Sequence, residues 1–303
     1  MSAVSPRPME GGGHLNVRSV VHRSLHPRTG ASVAVSSSQR AAADDRALYW
    51  DGCLNVRELG GLPIDGDGQT SWKAVLRADS IRKLSDSGWE QLLGYGVSRI
   101  VDLRFHSELA DDPPRDLRID VVHIPVLPEL DSKHWEEIDP LGDAAPDAAS
   151  GNRVVYLEFL KRFPRRFVEA VEAVVTAPEG AVVIHCVGGK DRTGLLSALL
   201  LRTAGVSITD IAADYALSEV NLRSEAEQWI ALAGSEFERN QRTRRSQTPA
   251  ETMVGVLEEL EQRYGSVESY LRSGGATTET FRRIRERLAG SASSRGDRST
   301  GRQ

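Results

Sequence analysis

The chain has 303 residues, 40% of them hydrophobic, and a formal charge of −5. That is enough apolar material for one large core or two small ones, and the negative balance argues against general nucleic-acid binding. Its two cysteines, Cys53 and Cys186, exclude a disulfide framework. No apolar run approaches the roughly 20 residues of a membrane-spanning helix, so no integral membrane segment is expected. The N-terminus also lacks the apolar centre of a signal peptide. These features predict a cytoplasmic protein and leave open secretion by a route that needs no signal peptide.

Residues 1–45 are rich in Ser, Arg, Gly and Ala and read as a disordered leader. The alternative, a basic arm for a membrane surface or partner, is disfavoured because Arg7, Arg18, Arg23, Arg28 and Arg40 are scattered. A domain spanning 46–290 opens at Leu48-Tyr49-Trp50. The turn signal Asp65-Gly66-Asp67-Gly68 predicts a hairpin whose second arm is Trp72–Leu76. Ser87 and Glu90 have capping-box spacing for a short helix carrying Trp89, Leu92 and Leu93, which Gly94 and Gly96 close. Residues 97–103 and 121–126 then read as buried strands. Asp102 and Arg104 fall where the first of these ends, either near a site or as a structural ion pair. Cys53 reads as a buried, inert thiol.

Residues 127–152 are acidic, with Pro, Gly and Ala clusters, and predict a long loop that acts as a lid or insertion. Residues 154–176 return to a helical pattern interrupted at Pro164. Ala181-Val182-Val183-Ile184 is a short apolar, β-branched run of the kind found in buried parallel strands. Leu195, Leu196, Leu199 and Leu200 then recur at helical spacing.

Between that strand and helix lies His-Cys-Val-Gly-Gly-Lys-Asp-Arg-Thr-Gly, residues 185–194. A loop entering a helix turns backbone N–H groups toward one point, where the helix dipole adds positive charge. Gly188 and Gly189 let the backbone curl around an anion. Arg192 offers a planar fork for phosphate oxygens. The same field favours a thiolate at Cys186, which then reads as the nucleophile of a two-step phosphoryl transfer.

Thr193 can hydrogen-bond the sulfur, Lys190 adds a point charge, and His185 positions Cys186. Asp191 opposes anion binding unless it handles a proton or pairs with a cation. A lone cysteine after an apolar strand is more often a small core residue, but the joint pattern Cys-x5-Arg-Thr-Gly is much rarer. A nucleotide-binding loop would need Gly at position 184 and Ser or Thr at 191. The chain has Ile184 and Asp191.

After Gly205, Thr209 is placed to cap a helix with Ile211, Tyr215 and Val220, and Trp229 and Ile230 extend the helical region. The basic run Arg239–Arg245 reads as a solvated helix end or, alternatively, a surface for an anionic substrate. Residues 249–289 predict two or three helices broken at Tyr264-Gly265-Ser266 and Gly274-Gly275. Residues 291–303 read as a disordered tail.

The loop HCVGGKDRTG resembles the signature of cysteine-dependent protein tyrosine phosphatases, in the form used by the bacterial tyrosine/serine phosphatase branch. Asn55-Val56-Arg57-Glu58-Leu59-Gly60-Gly61, Arg77-Ala78-Asp79-Ser80, Ile100-Val101-Asp102-Leu103-Arg104, His123-Ile124-Pro125 and Tyr264-Gly265-Ser266 are also similar to that branch. The likeness spans roughly residues 48–289.

The alternating elements predict a central mixed, mainly parallel sheet flanked by helices. The resemblance implies a phosphatase fold with a helical lid region toward the C-terminus. It further implies Cys186 as nucleophile, Arg192 and the amides of Val187, Gly188 and Gly189 as phosphate ligands with Lys190 and Thr193, and no metal or cofactor. The implied substrates are phosphorylated proteins, with phosphotyrosine foremost, or phospholipids.

No Trp-Pro-Asp tripeptide identifies the general acid. Asp191 is the first choice by resemblance and proximity, followed by Asp102, Glu129 and Asp131. A binding module that holds phospho-ligands with little turnover, and a sulfur-transfer protein, are the rival readings.

Overall fold

The computed structural model describes residues 45–66, 68–110 and 119–289. Apart from Asp45, the leader and tail expected at the two ends lie outside the described residues. In chain order the strands are β1 (Arg57–Glu58), β2 (Pro63–Ile64), β3 (Gly68–Gln69), β4 (Val75–Ala78), β5 (Val97–Asp102), β6 (Asp120–His123) and β7 (Ala181–His185). Five of them form one sheet in the order β1-β4-β7-β5-β6. β7 runs parallel to β4 and β5, β5 runs parallel to β6, and only β1 is antiparallel to its neighbour β4. This is the mixed, mainly parallel sheet that the alternating elements predicted.

A hairpin does form here, but β2 pairs with β3. The expected second arm, Trp72–Leu76, instead leads into β4 of the main sheet. Four apolar or amphipathic residues at β4, all buried, gain more from a central position than from a surface hairpin.

β7 sits at the centre with every residue buried. Its alternation divides the core in two. Val182 and Ile184 face a large helical layer that includes Phe167, Val171, Leu196 and Leu199. Ala181 and Val183 face a smaller cluster with Trp50, Ile81, Trp89 and Leu92.

That smaller face is covered by helix α1 (Asp86–Tyr95). Its cap is Ser85, whose hydroxyl accepts from the Gly88 N–H, rather than Ser87 as the spacing suggested. Gly96 closes α1 with a left-handed φ of 89°.

The larger core is built from α2 (Lys133–Asp143), α3 (Ala148–Arg162), α4 (Pro164–Val175), α5 (Arg192–Thr203), α6 (Ile208–Asn221), α9 (Ala250–Tyr264), α10 (Val267–Ser273) and α11 (Thr278–Ala289), while α7 (Arg223–Ala231) and α8 (Glu236–Ser246) bury no residue. Pro164 stands at the first turn of α4, where its missing N–H costs nothing. Ser207, two residues before the expected Thr209, caps α6.

The stretch 127–152 differs from the expected lid loop. Most of it is helical, with α2 capped by Ser132 and α3 by Asp147. Ile138 is buried in the large core, and Trp135 packs edge-on against Phe105 and Phe159. That burial outweighs Pro140 inside α2 and the weak local propensity. Among the described residues no helix is long and apolar enough to cross a membrane.

Candidate active site

The Cys-x5-Arg segment lies at the carboxyl end of the central strand, where β7 hands over to α5. Three loop carbonyls are held from outside. The Val187 carbonyl accepts from the Ser80 N–H at 2.8 Å, that of Gly188 from Asn55 Nδ2 at 2.9 Å, and that of Gly189 from Arg77 Nη2 at 2.7 Å. In a planar trans peptide the N–H points opposite the C=O. Pinning these carbonyls outward therefore turns the N–H groups of Gly188, Gly189 and Lys190 to the inner side, as an anion cradle requires. Gly189 has φ 65°, and a Cβ there would stand 2.3 Å from the Ala78 carbonyl oxygen, so glycine is obligatory.

The groups that pin the loop are themselves anchored by Asp214 on α6. Its carboxylate accepts from Arg46 Nη1 at 2.8 Å, Arg57 Nε at 3.0 Å and Arg77 Nη1 at 2.7 Å, all with buried side chains. Arg57 Nη1 also donates to Asn55 Oδ1 at 2.5 Å. Burial alone would raise the Asp214 carboxyl, but the three arginines hold it far below the usual carboxylate range. Three guanidinium groups against one carboxylate leave net positive charge behind the loop. The Asn55-Val56-Arg57 and Arg77-Ala78-Asp79-Ser80 motifs thus act as the scaffold of the loop.

Arg192, the first residue of α5, is 9% exposed. Its Nη1 donates to Glu108 Oε2 at 2.6 Å and to the Leu103 carbonyl at 3.4 Å, and its Nη2 donates to Glu108 Oε1 at 3.0 Å. The guanidinium carbon lies 4.4 Å from the Phe105 ring centroid. Three of five N–H groups are thereby engaged. The Nε–H and one Nη2–H make no hydrogen bond among the described residues, and together they form the side-on fork suited to a phosphate. Burial works against the charge on Arg192, yet Cys186 and Glu108 keep its pKa raised.

Glu108 escaped the sequence reading. It lies in a short 3₁₀ turn, Ser107–Leu109, just beyond the β5 edge, and its only sequence signal was that position.

Cys186 is 2% exposed, beneath the loop, and Thr193 is fully buried. The Thr193 hydroxyl has no hydrogen-bond partner among the described residues, which leaves a donor available next to Arg192. His185 is buried, with Nδ1 3.2 Å from the Cys186 carbonyl. Lys190 Nζ donates to the Arg245 carbonyl at 2.6 Å and to Asp191 Oδ1 at 3.1 Å, tying the loop to α8.

A cavity of about 360 Å³ opens beside the loop. Lys190, Asp191 and Arg192 form one wall; Phe105, Leu127, Trp135 and Phe159 form an apolar flank; Phe237, Arg244 and Arg245 of α8 form another side. The basic run on α8 thus borders the cavity. Arg244 is bound to the carbonyls of Ala145 and Asp147, and Arg245 faces Asp139 and Asp143.

The other acid candidates are not brought together with the loop in this way. Asp102 is bound by Arg104 at 2.7 Å, with His185 Nε2 at 3.6 Å. Burial would raise its carboxyl, but His185 and Arg104 hold it at about 2, so it is an ionised structural partner. Glu129 accepts from His106 N, Ser107 N and Ser107 Oγ; burial opposes its charge slightly, and those donors win and lower its pKa. Asp131 is exposed, and neither it nor Glu129 lines the cavity. The Cys53 thiol is buried, and burial, followed by Asp79, pushes it well above its ordinary value.

A family model described as the tyrosine phosphatase family matches residues 48–290. The chain is 28% identical over 272 residues to a tyrosine-protein phosphatase of Nostoc commune, covering 84% of this chain and 87% of that protein. It is 27% identical over 251 residues to the triple specificity protein phosphatase PtpB of Mycobacterium tuberculosis, covering 71% of this chain and 91% of that protein.

Proposed function

This chain belongs to the tyrosine phosphatase family and is a phosphatase, and on that footing we propose that it hydrolyses phosphotyrosine in proteins through a cysteinyl-phosphate on Cys186. The observation that carries this reading is the unengaged Nε–Nη2 fork of Arg192, set in the wall of an aromatic-lined cavity. A dianionic phosphoryl group fits the fork and the inward amides, while an aromatic ring fits the apolar flank.

In the first half-reaction the Cys186 thiolate forms a bond to phosphorus. The bond from phosphorus to the leaving oxygen breaks, and that oxygen takes a proton from Asp191. In the second, Asp191 takes a proton from water as the water oxygen attacks phosphorus. The P–S bond breaks and returns its electron pair to the sulfur, with the Thr193 hydroxyl available to stabilise the thiolate. Arg192 and the amides of Gly188, Gly189 and Lys190 hold the equatorial oxygens throughout, where charge-stabilising donors have the greatest effect.

Asp191 is favoured as the acid because it alone of the four candidates lines the cavity. The PtpB relative is named for triple specificity, and the resemblance to the bacterial tyrosine/serine phosphatase branch keeps phosphoserine/threonine and phosphoinositide substrates as the second reading. A panel of phosphotyrosine, phosphoserine and phosphothreonine peptides and phosphoinositides, compared by kcat/KM, tests the preference. Phosphotyrosine should lead, and a lipid substrate ranking first would replace this reading. Binding without turnover by the wild type, with Cys186→Ser no different, would favour the binding module.

A further inference from the structure

The two carboxylate oxygens of Asp191 stand in different surroundings. Tyr156 on α3 donates its hydroxyl to Oδ1, and Lys190 Nζ donates to the same oxygen at 3.1 Å. Oδ2 receives no hydrogen bond from any described residue. The Tyr156 hydroxyl also lies 2.9 Å from that of Tyr215 on α6. With its one proton committed to Asp191, Tyr156 must accept from Tyr215.

Both phenols are buried. Desolvation first, and the Asp191 charge second, push them far above the ordinary tyrosine range, so they are neutral donors. A relay of buried hydroxyls therefore runs from the core to one oxygen of Asp191 in the cavity wall.

We propose that Tyr156 is a positioning residue for Asp191: it fixes Oδ1, leaves Oδ2 to carry the transferred proton, and steadies the carboxylate that forms as the proton leaves. This rests on the reading of Asp191 as the general acid. When the bond from phosphorus to the leaving oxygen breaks, that oxygen's electron pair takes the Oδ2 proton. The resulting negative charge spreads onto Oδ1, where the Tyr156 hydroxyl and the Lys190 ammonium meet it. Because a buried, oriented hydroxyl does not reorganise during the step, its stabilisation is available in the transition state. The charged groups beside Asp191 are Lys190 and Arg192 from the loop; Arg244 and Arg245 of α8, Asp139 and Asp143 of α2 and Asp147 at the start of α3 line the same cavity.

Tyr156→Phe removes only the hydroxyl. The readout is kcat/KM for a series of aryl phosphates from p-nitrophenyl to phenyl, whose leaving groups need increasing help from an acid, measured across the pH range. The phenyl to p-nitrophenyl ratio is expected to fall about 10-fold or more below wild type, as a share of the 10²–10⁴-fold typical of general acids. The descending limb of the phenyl phosphate profile should also move to higher pH, because a donor to the charged form of the acid has been lost. A merely structural loss would lower all substrates alike and leave the limb in place, which overturns the proposal.

Asp191→Asn separates the two readings. If it leaves the ratio unchanged, the acid assignment and the proposal both fall. If it lowers the ratio while Tyr156→Phe does not, the proposal alone falls. The double variant should show no ratio loss beyond that of Asp191→Asn. Tyr215→Phe, which keeps the contact to Asp191 and removes the donor behind it, should shift the ratio the same way by a smaller factor; an unchanged ratio there counts against the relay.

Discussion

Glu108 grips Arg192 by the end of its guanidinium, one carboxylate oxygen to each Nη at 2.6 and 3.0 Å. The side-on edge is left facing outward from that pair. A flexible arginine is thereby converted into a fixed fork before any substrate arrives, which reduces the ordering needed on binding.

Glu108→Gln keeps the shape and removes the charge. Charge-assisted hydrogen bonds of this kind contribute about 1.5–3 kcal/mol, so kcat/KM on p-nitrophenyl phosphate should fall roughly 10- to 100-fold. Part of the loss should appear in KM, since the fork also grips ground-state phosphate. An unaltered kcat/KM would make Glu108 a bystander.

Gly189 tests the loop backbone itself. In Gly189→Ala the new Cβ meets the Ala78 carbonyl at a φ that L-residues rarely adopt. Strain of about 1–3 kcal/mol is expected, relieved by displacing the loop, so activity should drop at least about 100-fold while circular dichroism stays native. Activity within a few-fold of wild type would mean the loop geometry matters little.

Asp214 is the counter-charge to Arg46, Arg57 and Arg77. Removing one partner of a buried charged cluster costs about 3–5 kcal/mol because the others stay buried and uncompensated. Asp214→Asn should lower unfolding stability in urea by that order and weaken activity through the freed Gly188 and Gly189 carbonyls. A loss below about 1 kcal/mol would show that the cluster is not under strain from its own charge.

Asp102 supplies a pH dependence. Its folded value of about 2 lies below the ~3.9 of an unfolded aspartate. The group therefore contributes stability that is fully present above pH ~4 and lost as the pH falls through about 2. Linkage makes that contribution about 2.6 kcal/mol. Thermal unfolding measured down this range should show the loss in wild type and a flatter curve in Asp102→Asn. Parallel curves would refute the pairing with His185 and Arg104.

The strand, loop and helix around Cys186 were legible because their signals are local. An apolar β-branched run, two glycines and an arginine at fixed spacing all lie within about twenty residues. Glu108 was not legible, since it meets Arg192 across 84 residues with no local pattern to mark it.

Tyr156 falls on the buried stripe of the helical pattern read over residues 154–176. The stripe could not show that its hydroxyl finds Asp191, 35 residues away. Residues 127–152 were misread as a lid loop because Pro, Gly and Ala depress local propensity. Their helices are held by tertiary burial of Ile138 and Trp135, which composition does not reveal. The caps at Ser85 and Ser207 were each displaced by two residues, because several hydroxyl residues in one turn present the same capping chemistry.

The most direct measurement is rapid quenching of the enzyme during turnover of a labelled phosphotyrosine peptide, followed by mass mapping of the trapped protein. A single phosphate on Cys186, absent from Cys186→Ser along with turnover, is the expected result. Undiminished hydrolysis by Cys186→Ser, or phosphate found on any other side chain, would contradict it.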